Sequence, residues 1–155
     1  MPPPPTDRVP RRALNQVTYC PRLYYLQYVD CVMPTNEHVE AGLFDHRRVD
    51  DPDLKGKTRS DRGTATSRGV ALSSDALGVT GVLDVIEEKN GEPYPVETKH
   101  GPGPRDADGN PTVWDNDAVQ LCAQAMLMEE AFGKPVPRGF QFHAGTRERV
   151  EVRFT

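Results

Sequence analysis

The stretch Gly81-Val82-Leu83-Asp84-Val85-Ile86-Glu87-Glu88-Lys89-Asn90-Gly91-Glu92-Pro93-Tyr94-Pro95-Val96-Glu97-Thr98-Lys99 holds two strand-like runs on either side of an Asn-Gly pair. The first run is apolar almost throughout, as in a sheet covered on both faces, and the second is short and turn-bounded. Asn90-Gly91 is a strong two-residue hairpin signal, which predicts antiparallel neighbours over about 79–88 and 94–99. Side chains alternate faces along a strand, so Glu97 and Lys99 point one way and Thr98 the other. An ionised carboxylate in such a strand is costly unless something charged partners it. The two strands can therefore gather Asp84, Glu97 and Lys99 at one end of a sheet. That gives two carboxylates able to hold a divalent cation, with an ammonium beside them. The constellation suits metal-assisted cleavage of a phosphodiester.

Upstream, Asn15 is a candidate cap for a short first helix through Tyr19, and Pro21 suits the first turn of a second helix through about Val29. Tyr19, Leu23 and Leu26 suit a core-facing stripe. The density of tyrosine around Tyr24 reads as aromatic packing, with a stacking platform for single-stranded bases as the alternative. A further helix is expected over 35–50, where Val39, Leu43, His46 and Val49 share one face. His46 is then either a satisfied core histidine or, given Asp84 and Glu97, a ligand for a transition metal. The polar stretch 52–69 reads as a loop, followed by a strand over about 69–74.

Downstream, the glycine- and proline-rich segment 101–111 reads as a long loop beside the acidic pair, a candidate flap. The clearest helix runs from Asp115 or Asn116 to Phe132 and ends before Gly133-Lys134-Pro135. Ala118, Leu121, Cys122, Ala125, Met128 and Phe132 form its apolar stripe. Gln120 and Gln124 fall on the flank of that stripe, either as surface amides or as groups that grip a phosphate or the base beside it. Strands over 138–144 and 149–154, turning around Gly145, finish the chain. This order predicts an α/β domain with a mixed central β-sheet flanked by helices.

At 155 residues and 17.2 kDa the chain is one domain's worth, and its 15 prolines and 13 glycines indicate substantial loops. Met1-Pro2-Pro3-Pro4-Pro5 cannot join a helix or sheet, so residues 1–12 read as a disordered lead-in and 13–155 as the folded domain. No apolar stretch approaches the roughly 20 residues that span a bilayer, and no signal-peptide pattern is present. A cytoplasmic protein with no membrane partner is the expectation. A net charge of −4 argues against a generic basic nucleic-acid binder. The local basic runs, Arg8 with Arg11 and Arg12 among them, read as solvated surface or as a DNA track. Cys20, Cys31 and Cys122 form no CxxC pair, which argues against a disulfide framework or an independent zinc knuckle.

His46, Gly81-Val82-Leu83-Asp84, Glu97-Thr98-Lys99 and Gln120 resemble, in order and in helix-or-strand context, the RecB-like branch of the PD-(D/E)xK nuclease superfamily. A closer resemblance is to the CRISPR-associated RecB-like nucleases of spacer acquisition. It rests on Tyr19-Cys20-Pro21-Arg22-Leu23-Tyr24, Val96-Glu97-Thr98-Lys99-His100-Gly101 and Asp117-Ala118-Val119-Gln120-Leu121-Cys122-Ala123-Gln124. An ExK triplet alone is a weak signal; the ordered set with the longer segments is specific.

The resemblance implies a restriction-endonuclease-like fold and a metal-dependent DNA nuclease that trims single-stranded overhangs of captured DNA. Such enzymes help select fragments by their adjacent motif and work with the CRISPR integrase and its small dimeric partner, to which some members are fused. Mn²⁺ or Mg²⁺ would be held by His46, Asp84 and Glu97, with the Thr98 carbonyl a further candidate ligand. Lys99 would orient the attacking water or stabilise the transition state, and Gln120, Gln124 and Tyr24 would contact DNA. A four-iron four-sulfur cluster is also implied, with Cys20, at a helix start, as one ligand. The family's other three cluster cysteines do not appear, so the expectation is a sequence truncated before them. Gln124 departs from the tyrosine of many relatives.

Two rival readings remain. One is a non-catalytic recognition or gating module that measures DNA for the integrase. The other is an α/β domain whose carboxylates are only ion-paired. Pairing Glu97 with Lys99, two residues apart on one strand, is poor in geometry and leaves Asp84 without a partner.

Overall fold

In the computed structural model, the residues described are 8–32, 53 and 57–155. Their elements are β1 (Val9–Pro10), α1 (Arg11–Tyr19), α2 (Pro21–Tyr28), β2 (Thr58–Asp61), β3 (Thr64–Ser74), β4 (Val79–Lys89), β5 (Glu92–Lys99), α3 (Asp115–Phe132), β6 (Arg138–His143) and β7 (Glu148–Arg153). The strands form one seven-stranded sheet in the order β2-β3-β4-β5-β6-β7, with β1 also pairing β4. The β1–β4 and β5–β6 pairs are parallel and the others antiparallel. α3 is the crossover that a parallel β5–β6 pair requires. The architecture is a mixed sheet flanked by helices.

The decisive hairpin forms as its turn residues dictate. Asn90 and Gly91 both have positive φ, 54° and 80°, the requirement of a tight turn matched to strand twist. The register runs from Lys89↔Glu92 to Val85↔Val96, which brings Asp84 opposite Glu97 just where the ladder stops. On the other side of β4, the β3 ladder omits the Gly69–Asp84 pair, and Gly69 has φ 58°. Leu83 and Ile86, three residues apart, consequently pack in one cluster with Ala125, Met128 and Val136 beneath α3. Val85 faces the opposite cluster with Tyr94, Val96, Phe140 and Phe142. Both faces of β4 are covered, which is why its sequence shows no clean alternation.

Several sequence expectations are corrected here. Residues 9–12 are not lead-in but strand and helix, because β1 adds to the edge of β4. Helix α1 starts at Arg11 after Pro10, so Asn15 is interior to it rather than its cap. Tyr19 is 70% exposed and no residue of α2 is buried, so the proposed stripe does not face the core. The stretch 58–69 is a hairpin, turning at Arg62 and Gly63, whose first strand is exposed throughout and so carries no apolar pattern. Phe132 is exposed rather than part of the stripe of α3. The helix expected over 35–50, with His46, lies outside the described residues.

Gly139 on β6 lies where α3 meets the sheet. A Cβ there would come within 3.0 Å of Leu121 Cγ and 3.1 Å of Pro95 Cγ, and Leu121 has no exposed surface into which to shift. Gly139→Ala is therefore expected to destabilise the fold by about 1–3 kcal/mol through overpacking. An unchanged urea midpoint would contradict this packing.

Candidate active site

Asp84 and Glu97 are only 6% and 5% exposed, so their charge must be met by protein groups. Gln120 Nε2 donates to Glu97 Oε1 at 3.0 Å and Gln124 Nε2 to Oε2 at 2.6 Å. Both glutamines project from the buried face of α3, one turn apart, and Gln124 has no exposed surface. Their expected place on the flank of the stripe is therefore corrected: their amides turn inward and hold the Glu97 carboxylate. A buried carboxylate needs two such donors, and that need puts polar residues in the middle of an apolar face. The Thr98 N–H donates to Asp84 Oδ2 at 3.1 Å, so Thr98 reaches the pair through its backbone.

The residue that joins the two carboxylates is Arg11, a member of the basic run expected as solvated surface or as a DNA track. Its Nη1 lies 3.2 and 3.1 Å from the two Glu97 oxygens, and Nη2 lies 3.3 Å from Asp84 Oδ1. Nε and Nη2 also donate to the Val82 carbonyl at 3.0 and 2.7 Å. This position follows from the sheet. β1 pairs with β4 at Val79 and Thr80, and β5 pairs with it from Val85 onward. Between them one edge of β4 is open, and Arg11, the first residue after β1, enters there. Gly81 makes the room, since a Cβ on it would sit 2.6 Å from Arg11 Cγ. The ion-paired reading thus gains a partner for Asp84.

Lys99 Nζ lies 3.7 Å from Glu97 Oε1, a long contact, and its nearer carboxylate is Asp117, at 3.0 Å. Gln120 Oε1 accepts from the same ammonium at 3.4 Å. Asp117, at the start of α3, is held in turn by Asn15 Nδ2 at 2.7 Å and Gln141 Nε2 at 3.3 Å. The parallel β5–β6 register sets Gln141 beside Glu97 and His143 beside Lys99, and both are buried. Asp117, Gln141 and His143 were missed by the sequence reading. The signal available was the alternation of β6, in which Phe140 and Phe142 face the second cluster and the polar Gln141 and His143 face α3. The loop after β5 is anchored over this corner rather than free: Gly103 lies against the His143 ring, and Arg105 pairs with Glu148 at 2.7 Å.

Among the described residues, no three His, Cys, Asp or Glu side chains gather as a metal-ligating group. The acidic pair nevertheless fits a hard divalent cation in donor chemistry. Two neighbouring carboxylates already share one cationic group, Arg11, and oxygen donors suit Mg²⁺ and Mn²⁺. His46, the third candidate ligand, lies outside the described residues. The three cysteines are all free thiols. Cys20 occupies the position preceding α2, as expected, and its carbonyl accepts from the Tyr24 N–H at 3.1 Å. Cys122 is half-buried on α3, and burial together with Glu129 pushes its thiol pKa up. By themselves these thiols do not fit a four-thiolate cluster. Tyr24 stacks on Tyr28 at 5.1 Å between ring centroids, on α2, which packs against α1. No described helix is long and apolar enough to cross a membrane.

No family model matches the chain. Among curated proteins, it is 38% identical over 148 residues to a CRISPR-associated exonuclease Cas4/endonuclease Cas1 fusion of Geobacter sulfurreducens, covering 94% of this chain and 26% of that protein. It is 34% identical over 152 residues to a CRISPR-associated exonuclease Cas4 of Rhodospirillum rubrum, covering 95% of this chain and 44% of that one. A Cas4 exonuclease of Francisella tularensis subsp. novicida is 25% identical over 151 residues, 71% of its length. The chain spans about a quarter of the length of the fusion relatives it matches. The ordered motifs, the mixed sheet flanked by helices and this coverage agree: over nearly its whole length the chain is similar to CRISPR-associated Cas4 exonucleases and Cas4/Cas1 fusions.

Proposed function

We propose that this domain is a metal-dependent DNA nuclease that trims the single-stranded overhangs of captured DNA and helps select fragments by adjacent motif for spacer integration. The observation that carries the reading is the buried acidic pair, Asp84 and Glu97 on adjacent strands, with the Lys99 ammonium 3.7 Å from Glu97. Similarity to proteins named as Cas4/Cas1 fusions supports the CRISPR integrase as partner, and the small dimeric partner of the integrase belongs to the same proposal.

A bound Mn²⁺ or Mg²⁺ would supply a water of lowered pKa and countercharge for the phosphate. Asp84, Glu97 and His46 would hold it, with the Thr98 carbonyl as a further ligand. Gln120 and Gln124 fix the rotamer of Glu97, so its oxygens are preorganised. Lys99 is 27% exposed, and so can meet a phosphate while Asp117 holds its ammonium in place. It acts as a fixed positive charge toward the developing negative charge. Tyr24, outside this cluster, remains a candidate platform for unpaired bases. Cys20 is proposed as one ligand of a four-iron four-sulfur cluster.

Arg11 is the specific observation that favours a second reading, in which the carboxylates are only ion-paired and the domain recognises DNA without cutting it. One assay separates the two. Single-stranded and overhang duplex DNA are incubated with the protein and Mn²⁺, beside Lys99→Ala and a chelated control. Metal-dependent cleavage by wild type that Lys99→Ala loses supports the nuclease. Equal cleavage by both overturns the role of Lys99, and specific overhang binding without cleavage favours the recognition module.

A further inference from the structure

We infer that Arg11 is a resident countercation of the acidic pair, one that a divalent ion must displace, so that the chain gates its own metal site. This rests on the metal-dependent reading above and adds the residue that sets metal affinity. The guanidinium reaches both carboxylates, at 3.1 and 3.2 Å from Glu97 and 3.3 Å from Asp84. A cation shared by the same two groups would need those oxygens. A full positive charge at such a distance in a buried setting also opposes a second cation by simple repulsion.

The position of Arg11 is built rather than accidental. The unpaired edge of β4 between the β1 and β5 ladders offers the Val82 carbonyl, which takes two N–H donors from Arg11. Gly81 leaves the space through which the side chain passes. Arg11 also sits at the junction of β1 and α1. Once withdrawn, it is a free guanidinium beside the metal, suited to bidentate contact with a phosphate. Substrate phosphate and metal then act together: the phosphate takes the arginine, and the vacated oxygens take the ion.

The test measures Mn²⁺ binding by the full 155-residue chain, through the loss of the free-ion electron paramagnetic resonance signal, with no DNA present. Arg11→Met removes the competing charge while keeping an apolar stem. Gly81→Ala displaces the same side chain by a different route, because its Cβ would overlap Arg11 Cγ. Both variants are expected to bind Mn²⁺ at least about tenfold more tightly than wild type, the equivalent of one charge-assisted hydrogen bond. In wild type, Mg²⁺ titration is expected to move the Arg11 Nε–Hε resonance toward that of a solvent-exposed arginine. That readout needs no variant to fold.

Equal Mn²⁺ affinity in all three proteins, with an unmoved Arg11 resonance, would overturn the gate and leave the metal site standing. Absence of Mn²⁺ binding in all three would overturn the metal reading, and the gate with it.

Discussion

Glu97→Ala is expected to destabilise the domain by about 3–5 kcal/mol and to abolish metal binding and cleavage together. The carboxylate accepts from three donors: Arg11 Nη1, which is shared between its two oxygens, and one amide each from Gln120 and Gln124. Truncation leaves a largely buried guanidinium facing Asp84 alone, and two buried amides without their acceptor. Breaking a buried pair by removing one partner costs far more than a surface pair contributes, because the remaining charge stays desolvated. Leu or Met at the same position would fill the volume but likewise leave Arg11 with Asp84 as its one carboxylate partner. The measurement is urea unfolding, in which a midpoint close to wild type would contradict the network.

Lys99→Ala separates chemistry from stability. Its ammonium is partly exposed, so its ion pairs with Asp117 and Glu97 are screened and contribute little to folding. Asp117 keeps its donors Asn15 and Gln141 after the change. Cleavage in Mn²⁺, in contrast, is expected to fall about 10²–10³-fold, the usual effect of deleting one group that stabilises transition-state charge. Mn²⁺ affinity should not weaken, because a neighbouring positive charge has been removed. Single-turnover rates on an overhang duplex, alongside thermal unfolding, check both halves. A large loss of stability with unchanged cleavage would reverse the roles assigned here.

What was legible in the sequence was local. Asn90-Gly91 fixed a hairpin and with it the meeting of Asp84 and Glu97, since turn geometry sets register. The length and capping of α3 were also readable, with Gly133 ending it at φ 64°. The missing parts depended on long-range contacts or on burial of polar groups. Arg11 looked like one member of a basic run, and nothing local marks it as the partner of a carboxylate 86 residues away. Gln120 and Gln124 have the polarity of surface residues, and only the buried Glu97 explains why they turn inward. Exposed β2 escaped notice because a strand solvated throughout has no period-two pattern. The family resemblance supplied the chemistry; the structure added the groups that hold its charges in place.

The central claim is that Asp84 and Glu97 form a divalent-cation site. Calorimetric titration of Mn²⁺ into the folded chain, beside Asp84→Asn, tests it most directly. The account predicts saturable binding by wild type at or below millimolar metal, lost in the variant. A folded wild type that takes up no Mn²⁺ at millimolar concentration, or binding that Asp84→Asn leaves unchanged, would contradict it.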